Sequence, residues 1–354
     1  MLNFALVGCG RIAKRHSDLL GNGEITGARL AAVCDTIEES AKTIGQRFGV
    51  PWYLDMHEMM AKEAIDVVVV LTESGYHAQH VIALSQYKKH IVVEKPMALT
   101  LSDADAMTKA CADAGVTLFV VKQNRFNVPV VKLREALEAD RFGKLVMGTV
   151  RVRWCRTQEY YDQASWRGTW ALDGGVLANQ ASHHVDLLEW MMGPVDTVFA
   201  KATTALADIE TEDTAIVILK FKSGALGLIE ATTAVRPKDI EGSISMLGES
   251  GTVEIGGFAV NEMKIWNFAK EIDGDADVRE KYSVNPPNVY GFGHAAYYQH
   301  VVDVIQSGST PLVDGSAGRQ SLELISAIYE SIATGREVKL GSSEHISRLG
   351  ETVQ

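Results

Sequence analysis

A charged pair, Glu94 and Lys95, follows an apolar stretch and comes directly before Pro96. The proline disfavours helical geometry at Lys95 and lacks a backbone donor, so a strand over residues 91–93 is expected to end at this pair. Open parallel sheets bind ligands at the carboxyl ends of their strands. The pair is therefore a candidate for contact with a ligand. The alternative is an ordinary surface ion pair at a strand end.

A second candidate is the histidine pair His183-His184, inside a polar stretch that runs from Asn179 to Asp186. A helix from residue 177 would place Asn179, His183 and Asp186 on one face, because their spacing is i, i+4, i+7. An imidazole among polar neighbours at a helix start can be a general base near neutral pH. The alternative is that one histidine is a buried structural residue and the other is solvated.

A glycine turn near the amino terminus points to a dinucleotide. Gly8, Gly10 and Ala13 form the pattern G-x-G-x-x-A between a short apolar strand and a helical pattern. Such a turn lets the backbone approach a pyrophosphate at the helix start. Asp35 ends the next predicted strand, where a carboxylate accepts the ribose hydroxyls and repels a 2′-phosphate. The carboxylate at this position therefore predicts NAD rather than NADP as the cofactor. The alternative is a tight strand-to-helix turn that binds no ligand.

These residues need a sheet to position them. Apolar strands are predicted at residues 3–7, 29–34, 65–71, 91–93 and 117–121, and they alternate with helical patterns. This alternation predicts a doubly wound parallel sheet, with five strand ends that bring polar residues to one edge. Thr72 and His77 follow the third strand, and Gln123 follows the fifth. His77 could equally be a helix-start residue without a ligand.

The chain becomes rich in β pattern from residue 145 onward. Predicted strands cover residues 145–156, 195–206, 212–222, 225–235, 240–247 and 251–255. They predict a large, mostly antiparallel sheet in a second domain, with helices on one face only. The strands at 215–221 and 226–231 are apolar on both sides, so we expect a homo-oligomer through the open face. The predicted domains are residues 1–123 and 124–354.

Four arginines stand close together in an acidic chain. Arg151 and Arg153 share one strand face by the period of two, and Arg156 and Arg167 follow nearby. Planar guanidinium groups suit carboxylates and phosphates, so the cluster suggests an anionic substrate. The alternative is salt bridging to the many surface acids.

Composition bounds the class of protein. A chain of 354 residues favours two domains, and its formal net charge of −11 disfavours nucleic acid and anionic membrane surfaces as partners. No apolar run approaches the roughly 20 residues of a membrane span, and the amino terminus lacks the pattern of a secretion signal. Four scattered cysteines are expected to be free thiols in a reducing cytoplasm, and their spacing predicts no metal site.

The glycine turn, Asp35, His77, the Glu94-Lys95-Pro96 triplet and the segment 174–186 together resemble the glucose-fructose oxidoreductase and inositol dehydrogenase family. The resemblance covers nearly the whole chain. It implies a Rossmann domain followed by an α+β domain with an open-faced antiparallel sheet, assembled into dimers or tetramers. It also implies that Lys95 lies beside the nicotinamide and the substrate hydroxyl, often before a cis proline.

This chain departs from the family pattern at two places. The family motif Asp-x-Gly-x-His-x-x-Asp puts His183 at the catalytic histidine but has Asn179 in place of the first aspartate. The change removes a charge that would raise the pKa of the base and help to orient it. The family's Gly-Tyr before Arg125-Phe126 is also absent, and Gln123-Asn124 stands there instead.

With the segments 156–158, 166–170 and 289–294, these departures resemble a subgroup that oxidises the 3-hydroxyl of UDP-2-acetamido-2-deoxyglucuronate with NAD. In that subgroup an aminotransferase uses the 3-keto product for bacterial surface-polysaccharide (O-antigen) synthesis. The arginine cluster is consistent with such an anionic nucleotide sugar. The rivals are a dehydrogenase of another sugar or inositol, and a regulator that binds NAD without catalysis.

The resemblance implies two catalytic residues: His183 takes the hydroxyl proton, and Lys95 stabilises the developing alkoxide. Glu94 is expected to hold Lys95 in place. The implied cofactor contacts are Gly8, Gly10, Arg11, Ile12, Ala13, Asp35, Thr72, His77, Glu94, Lys95, Gln123 and Arg167. The implied substrate contacts are Lys95, Arg156, Gln158, Tyr160, Asn179 and His183.

Overall fold

The computed structural model describes residues 1–284, 286, 291–341 and 345–351. The chain divides into two compact units. The first contains Met1–Val121 and His294–Gln320, and the second contains Lys122–Gly293 and Ser321–Gln354. The first unit therefore takes in a late segment, His294–Gln320, which a single boundary after residue 123 leaves with the second domain.

The first unit is built on a parallel sheet of six strands in the order β3-β2-β1-β4-β5-β6. The strands are β1 Leu2–Val7, β2 Ala28–Cys34, β3 Trp52–Tyr53, β4 Val67–Val70, β5 His90–Val93 and β6 Leu118–Val120. The helices between them are α1 Ala13–Gly21, α2 Glu38–Phe48, α3 Met56–Lys62, α4 His77–Ser85 and α5 Leu101–Asp113. This order is that of the Rossmann fold, as expected.

Burial explains why the central strands form. All four valines of β4 are buried, as are Ile91, Val92 and Val93 of β5. β-branched side chains favour a pleated backbone, and each valine taken fully out of water stabilises the fold by about 1.5–3 kcal/mol. β3 was not among the predicted strands because it has only two residues, too few to show a pattern.

The second unit contains a sheet of eight strands in the order β13-β12-β11-β7-β10-β9-β8-β14. The strands are β7 Leu145–Arg153, β8 Val195–Thr203, β9 Thr214–Phe221, β10 Leu226–Thr232, β11 Glu241–Gly248, β12 Gly251–Gly256, β13 Glu262–Phe268 and β14 Val338–Lys339. The helices are α6 Val128–Glu138, α7 Gln158–Tyr161, α8 Ser182–Met192 and α9 Val278–Lys281. Two more helices, α10 Gly293–Ser307 and α11 Gly315–Thr334, follow in the chain.

The second sheet is mixed but mostly antiparallel, because β7 and β10 are its only parallel pair within the described residues. Helix α8 covers one face: a Cβ on Gly148 of β7 would lie 2.7 Å from Met192 Cγ and 2.8 Å from Leu188 Cδ1. The other face exposes apolar residues, with Ile216 55% and Ile218 53% exposed. The expected open-faced sheet is therefore present.

Arg151 and Arg153 belong to this sheet surface. Arg153 Nε donates to Glu230 Oε1 at 2.7 Å, and Arg153 Nη1 lies 3.3 Å from Glu241 Oε2. Arg151 Nη1 lies 3.5 Å from Glu241 Oε1. The strand register explains the pairing, since Glu230 stands opposite Arg151 and Glu241 opposite Arg153. For these two arginines the salt bridges of the alternative are present, and their place in an anion-binding cluster stays a prediction.

Two further expectations concern the whole chain. The four cysteines are free, as expected, and Cys9, Cys34 and Cys111 are buried. In the part of the chain that the structure describes, the helices are too short or too polar to cross a membrane.

Candidate active site

The glycine turn lies between β1 and α1 and has the geometry expected of a phosphate-binding turn. Gly8 has φ +99°, and a Cβ there would lie 2.7 Å from the carbonyl carbon of Leu71, so only glycine fits. A Cβ on Gly10 would meet no atom within 4 Å, so protein packing does not demand glycine there. Open space beside Gly10 fits the close approach of a pyrophosphate. The turn therefore fits the dinucleotide that the sequence predicts.

Asp35 fixes this turn from the end of β2. Its Oδ2 accepts from Cys9 N at 2.7 Å, and its Oδ1 accepts from Ile37 N at 2.8 Å. The carboxylate thus stands beside the glycine turn, where NAD enzymes bind the ribose. Arg11 and Ile12 lie between the glycines and α1, which begins at Ala13.

His77 bonds the main chain at two strand ends. Its Nδ1 lies 2.8 Å from the Pro96 carbonyl and its Nε2 lies 2.9 Å from the Thr72 carbonyl. Burial lowers the pKa of His77, and the two carbonyls oppose that shift. The ring therefore ties the loop after β4 to the Lys95-Pro96 segment, whose peptide bond is cis as the resemblance implies. Thr72 Oγ1 bonds His80 Nδ1 at 2.9 Å.

Glu94 is buried at the end of β5 and lies between two histidines. Its Oε1 lies 3.0 Å from His16 Nε2 and 3.9 Å from His294 Nε2, while its Oε2 accepts from Lys95 N at 2.8 Å. Burial alone would raise the pKa of Glu94, but the two histidines bring it well below its usual value. The buried carboxyl is therefore ionised. The surface-pair alternative is wrong for Glu94, which is only 6% exposed.

In the second unit, His183 lies in the first turn of α8 and is 7% exposed. The helix begins at Ser182 and not at residue 177, so Asn179 lies in the turn before it. His183 Nε2 lies 3.0 Å from Gln123 Nε2. Gln123, one of the residues that depart from the family pattern, thus contacts the expected catalytic base.

The same helix carries a buried carboxylate. Arg125 Nε and Nη2 donate to Asp186 Oδ2 and Oδ1, both at 2.8 Å, and Lys122 Nζ lies 3.6 Å from Asp186 Oδ1. Lys122 also donates to Ser321 Oγ at 2.7 Å. Burial would raise the pKa of Asp186, yet Lys122 and Arg125 hold it below the usual value. This cluster fixes α8 to the short helix Gln123–Phe126, which carries Gln123.

The turn before α8 rests on Glu212. Its Oε1 accepts from Leu177 N and from the Tyr329 hydroxyl, each at 2.9 Å, and its carbonyl accepts from Val176 N at 2.9 Å. A Cβ on Gly175 would overlap the Glu212 carboxylate. Burial raises the pKa of Glu212 to about 7, against the hydrogen bonds that lower it. Asn179 Nδ2 donates to Asp173 Oδ1 in the same turn.

The remaining substrate candidates gather around Tyr160. Arg156 lies 5.3 Å and Arg167 4.5 Å from its ring centroid, and Arg167 Nη1 donates to its hydroxyl at 2.7 Å. Arg156 Nη1 also lies 3.0 Å from Asp239 Oδ1. Gln158 Oε1 accepts from Asp208 N at 2.8 Å. Gln158 and Arg167 are among the residues that line a cavity of about 250 Å³.

The structure thus brings Arg156, Tyr160 and Arg167 together, and it places Gln123 against His183. Sequence reasoning missed His16, His294 and Glu212. The signal for His16 was its position on the apolar side of α1, where Leu19 and Leu20 are also buried. Part of the segment 289–294, residues 289 and 290, lies outside the described residues.

Comparison with known proteins identifies the family. Residues 2–122 match the model of the NAD-binding Rossmann fold of the GFO/IDH/MocA oxidoreductase family, and residues 134–340 match its C-terminal alpha/beta domain. Myo-inositol 2-dehydrogenase from Thermotoga maritima is 30% identical, with 96% of this chain and 98% of that protein covered.

Two solved structures are more similar in sequence. The WlbA dehydrogenase from Bordetella pertussis, in complex with NADH and UDP-GlcNAcA, has a TM-score of 0.92 at 43% identity, covering 96% of this chain and 98% of that one. The WlbA dehydrogenase from Chromobacterium violaceum, with the same two ligands, has a TM-score of 0.89 at 43% identity, covering 96% of both chains. The chain belongs to the GFO/IDH/MocA family and is an NAD-dependent sugar dehydrogenase.

Proposed function

We propose that this family member oxidises the 3-hydroxyl of a UDP-linked 2-acetamido-2-deoxyglucuronic acid to the 3-keto sugar, with NAD as acceptor. The observation that carries the proposal is the 43% identity, over 96% of this chain, to a WlbA dehydrogenase crystallised with NADH and UDP-GlcNAcA. Curated relatives such as the inositol dehydrogenase are less similar, at 30% identity.

The group around Tyr160 suits anionic ligands, which here are the substrate and the cofactor phosphates. Arg156 and Arg167 bring two guanidinium groups to one aromatic ring in a chain whose formal net charge is −11. Guanidinium forks bind carboxylates and phosphates in a bidentate manner, and an aromatic ring can stack on a nucleobase or a sugar. We propose that Arg156, Gln158, Tyr160 and Asn179 contact the substrate and that Arg167 contacts the cofactor.

In the proposed reaction His183 removes the proton of the 3-hydroxyl as general base. Gln123 Nε2 contacts His183 Nε2 at 3.0 Å and so holds the imidazole in place, and the burial of His183 limits the access of water to it. Lys95 donates to the same hydroxyl oxygen and stabilises the alkoxide as charge develops. NAD, when bound, accepts the hydride from carbon 3.

The first test is incubation of the purified protein with NAD and UDP-GlcNAcA, followed by mass spectrometry of the nucleotide sugar. We expect NADH formation and a product lighter by two hydrogens. UDP-GlcNAc, which lacks the carboxylate, and myo-inositol are the comparison substrates. Faster turnover of myo-inositol than of the UDP-sugar acid would overturn the proposal in favour of the inositol reaction.

The roles of the two catalytic residues are tested separately. Lys95→Ala and His183→Ala should each lower kcat by at least about 100-fold, because each removes a group that acts on the reacting oxygen. His184→Ala is unsuitable as a control because His184 packs on Trp154 in the core. His57→Ala, in the first unit, is the matched histidine control. Near wild-type turnover by either catalytic variant would remove that residue from the mechanism.

We further propose that the open sheet face is covered by a second copy of the chain, as a dimer or tetramer. Ile216, Ile218 and Leu226 are each more than half exposed on that face, and the Arg–Glu pairs beside them balance in charge. Exposed apolar surface of this kind marks an interface. A cytoplasmic enzyme whose product feeds an aminotransferase in surface-polysaccharide (O-antigen) synthesis is the biological setting that this reaction suggests.

A further inference from the structure

A buried chain of hydrogen bonds ends at the backbone of Lys95. It begins at Tyr298 in α10, whose hydroxyl lies 2.5 Å from His16 Nδ1. His16 Nε2 lies 3.0 Å from Glu94 Oε1, and Glu94 Oε2 accepts from Lys95 N at 2.8 Å. His294, also in α10, lies 3.9 Å from Glu94 Oε1. Tyr298, His16, Glu94 and His294 all belong to the first unit and are buried.

The direction of the bonds follows from their chemistry. Burial raises the pKa of Tyr298 well above its usual value, so its hydroxyl keeps its proton and can donate to His16 Nδ1. Because the ionised Glu94 carboxylate only accepts, His16 Nε2 carries a proton and donates to it. Since a carboxylate only accepts, Lys95 N is the donor at the other oxygen. Each hydrogen bond therefore orients the side chain that makes the next one, from Tyr298 to Lys95.

We infer that His16 and His294 are positioning residues for Lys95, acting through the Glu94 carboxylate. A buried ionised carboxyl is stable only when donors surround it, and the two histidines are the imidazoles that face it among the described residues. If they are lost, Glu94 takes up a proton, which weakens its hydrogen bond from Lys95 N, or turns toward other donors, which breaks that bond. The strand end that carries Lys95 then becomes more mobile, and a misplacement of a catalytic group by about 1 Å can lower a rate about 100-fold.

A rival interpretation is a metal site, because one ligand atom from each of His16, Glu94 and His294 lies within 4.8 Å of the others. Two observations favour the hydrogen-bonded cluster. The distance of 3.0 Å between His16 Nε2 and Glu94 Oε1 is that of a hydrogen bond, and the second carboxylate oxygen is already bonded to the main chain.

The inference deepens the proposed function, but its first test does not depend on any substrate. Hydrogen exchange of the Lys95 amide is measured in the protein without added ligand. His16→Leu removes the donor at similar volume and should accelerate exchange of this amide at least about tenfold. His16→Gln keeps an amide donor that can reach Glu94, so it should restore most of the protection. Tyr298→Phe removes a single hydroxyl and should have an intermediate effect.

The matched control is His300→Leu, since His300 lies on the same helix and accepts from Leu312 N at 2.9 Å. It should leave Lys95 exchange unchanged even if the protein is somewhat less stable. Kinetics provide the second readout: His16→Leu and His294→Leu should lower kcat at least about tenfold, with the Kd for NAD changed less than about threefold. His16→Gln should recover most of kcat.

Three results would overturn the inference. The first is unchanged Lys95 exchange in both His16→Leu and Tyr298→Phe. The second is a His16→Gln variant no better than His16→Leu in exchange. The third is one equivalent of zinc in the purified protein that His294→Leu abolishes, which would establish the metal site instead. Failure of the enzyme to oxidise UDP-GlcNAcA would count against the proposed function alone, because the exchange experiment uses no substrate.

Discussion

Glu212 makes the stability of this protein depend on pH. Burial raises the pKa of its carboxyl from the usual 4.5 to about 7 in the folded chain. Between these values the folded protein holds a proton that the unfolded chain has released, so stability falls as pH rises through this window. At about 1.4 kcal/mol for each pKa unit, the full loss is about 3 kcal/mol.

The variant that tests this is Glu212→Gln, which is neutral at every pH. Its carbonyl oxygen can still accept from Leu177 N and the Tyr329 hydroxyl, as Glu212 Oε1 does. Between pH 4.5 and pH 8 the free energy of unfolding of the wild type should fall by about 3 kcal/mol relative to that of the variant. The reason is that position 212 carries a titratable carboxyl only in the wild type. Below pH 4.5 the difference in free energy of unfolding between wild type and variant should be constant.

Urea unfolding followed by tryptophan fluorescence is the suitable assay. Five of the six tryptophans lie in the second unit, so the signal reports mainly on the unit that holds Glu212: Trp154, Trp166, Trp170, Trp190 and Trp266. Glu271→Gln, at an exposed position, is the control and should follow the wild-type pH dependence. Parallel stability curves for wild type and Glu212→Gln from pH 4.5 to pH 8 would refute the reasoning.

Three other substitutions test separate parts of the structure. Asp35→Ser removes the carboxylate that repels a 2′-phosphate, so the ratio of kcat/KM for NAD to that for NADP should fall at least about tenfold; an unchanged ratio would contradict the assignment. Arg125→Leu leaves Asp186 buried with one cationic partner and should cost about 3–5 kcal/mol in urea unfolding; a loss below about 1 kcal/mol would show that Lys122 suffices. Ile218→Lys should dissociate the oligomer in sedimentation velocity, whereas Ile37→Lys, at another exposed isoleucine, should not.

Local patterns were enough to predict five of the six strands of the first sheet. Apolar runs such as the four valines of β4 predict where the strands lie. The polar residues that follow these runs predict the edge of the sheet where ligands bind. The glycine turn and Asp35 are defined by short spacings along the chain, and the bond from Cys9 N to Asp35 Oδ2 agrees with them. The start of α8 was harder, because the periodic pattern extends into a turn that is stabilised from outside by Glu212.

Long-range pairings could not be predicted from the sequence. Arg151 and Arg153 share a face by periodicity, but their partners depend on which strands lie beside β7, and those are Glu230 on β10 and Glu241 on β11. His16 and Glu94 are 78 residues apart in sequence. No spacing rule connects residues so distant, so this cluster appears only when the fold is known.

The late segment of the first unit has a consequence for gene recombination. Val120 N donates to Val313 O at 3.3 Å beside β6, and the Tyr298 ring packs edge-on against Phe4 of β1. An exchange of NAD-binding halves between relatives at one crossover near residue 122 would join these partners from different parents. Chimeras of this family should therefore require two crossovers, one before and one after residues 294–320, to inherit a coherent dinucleotide-binding module.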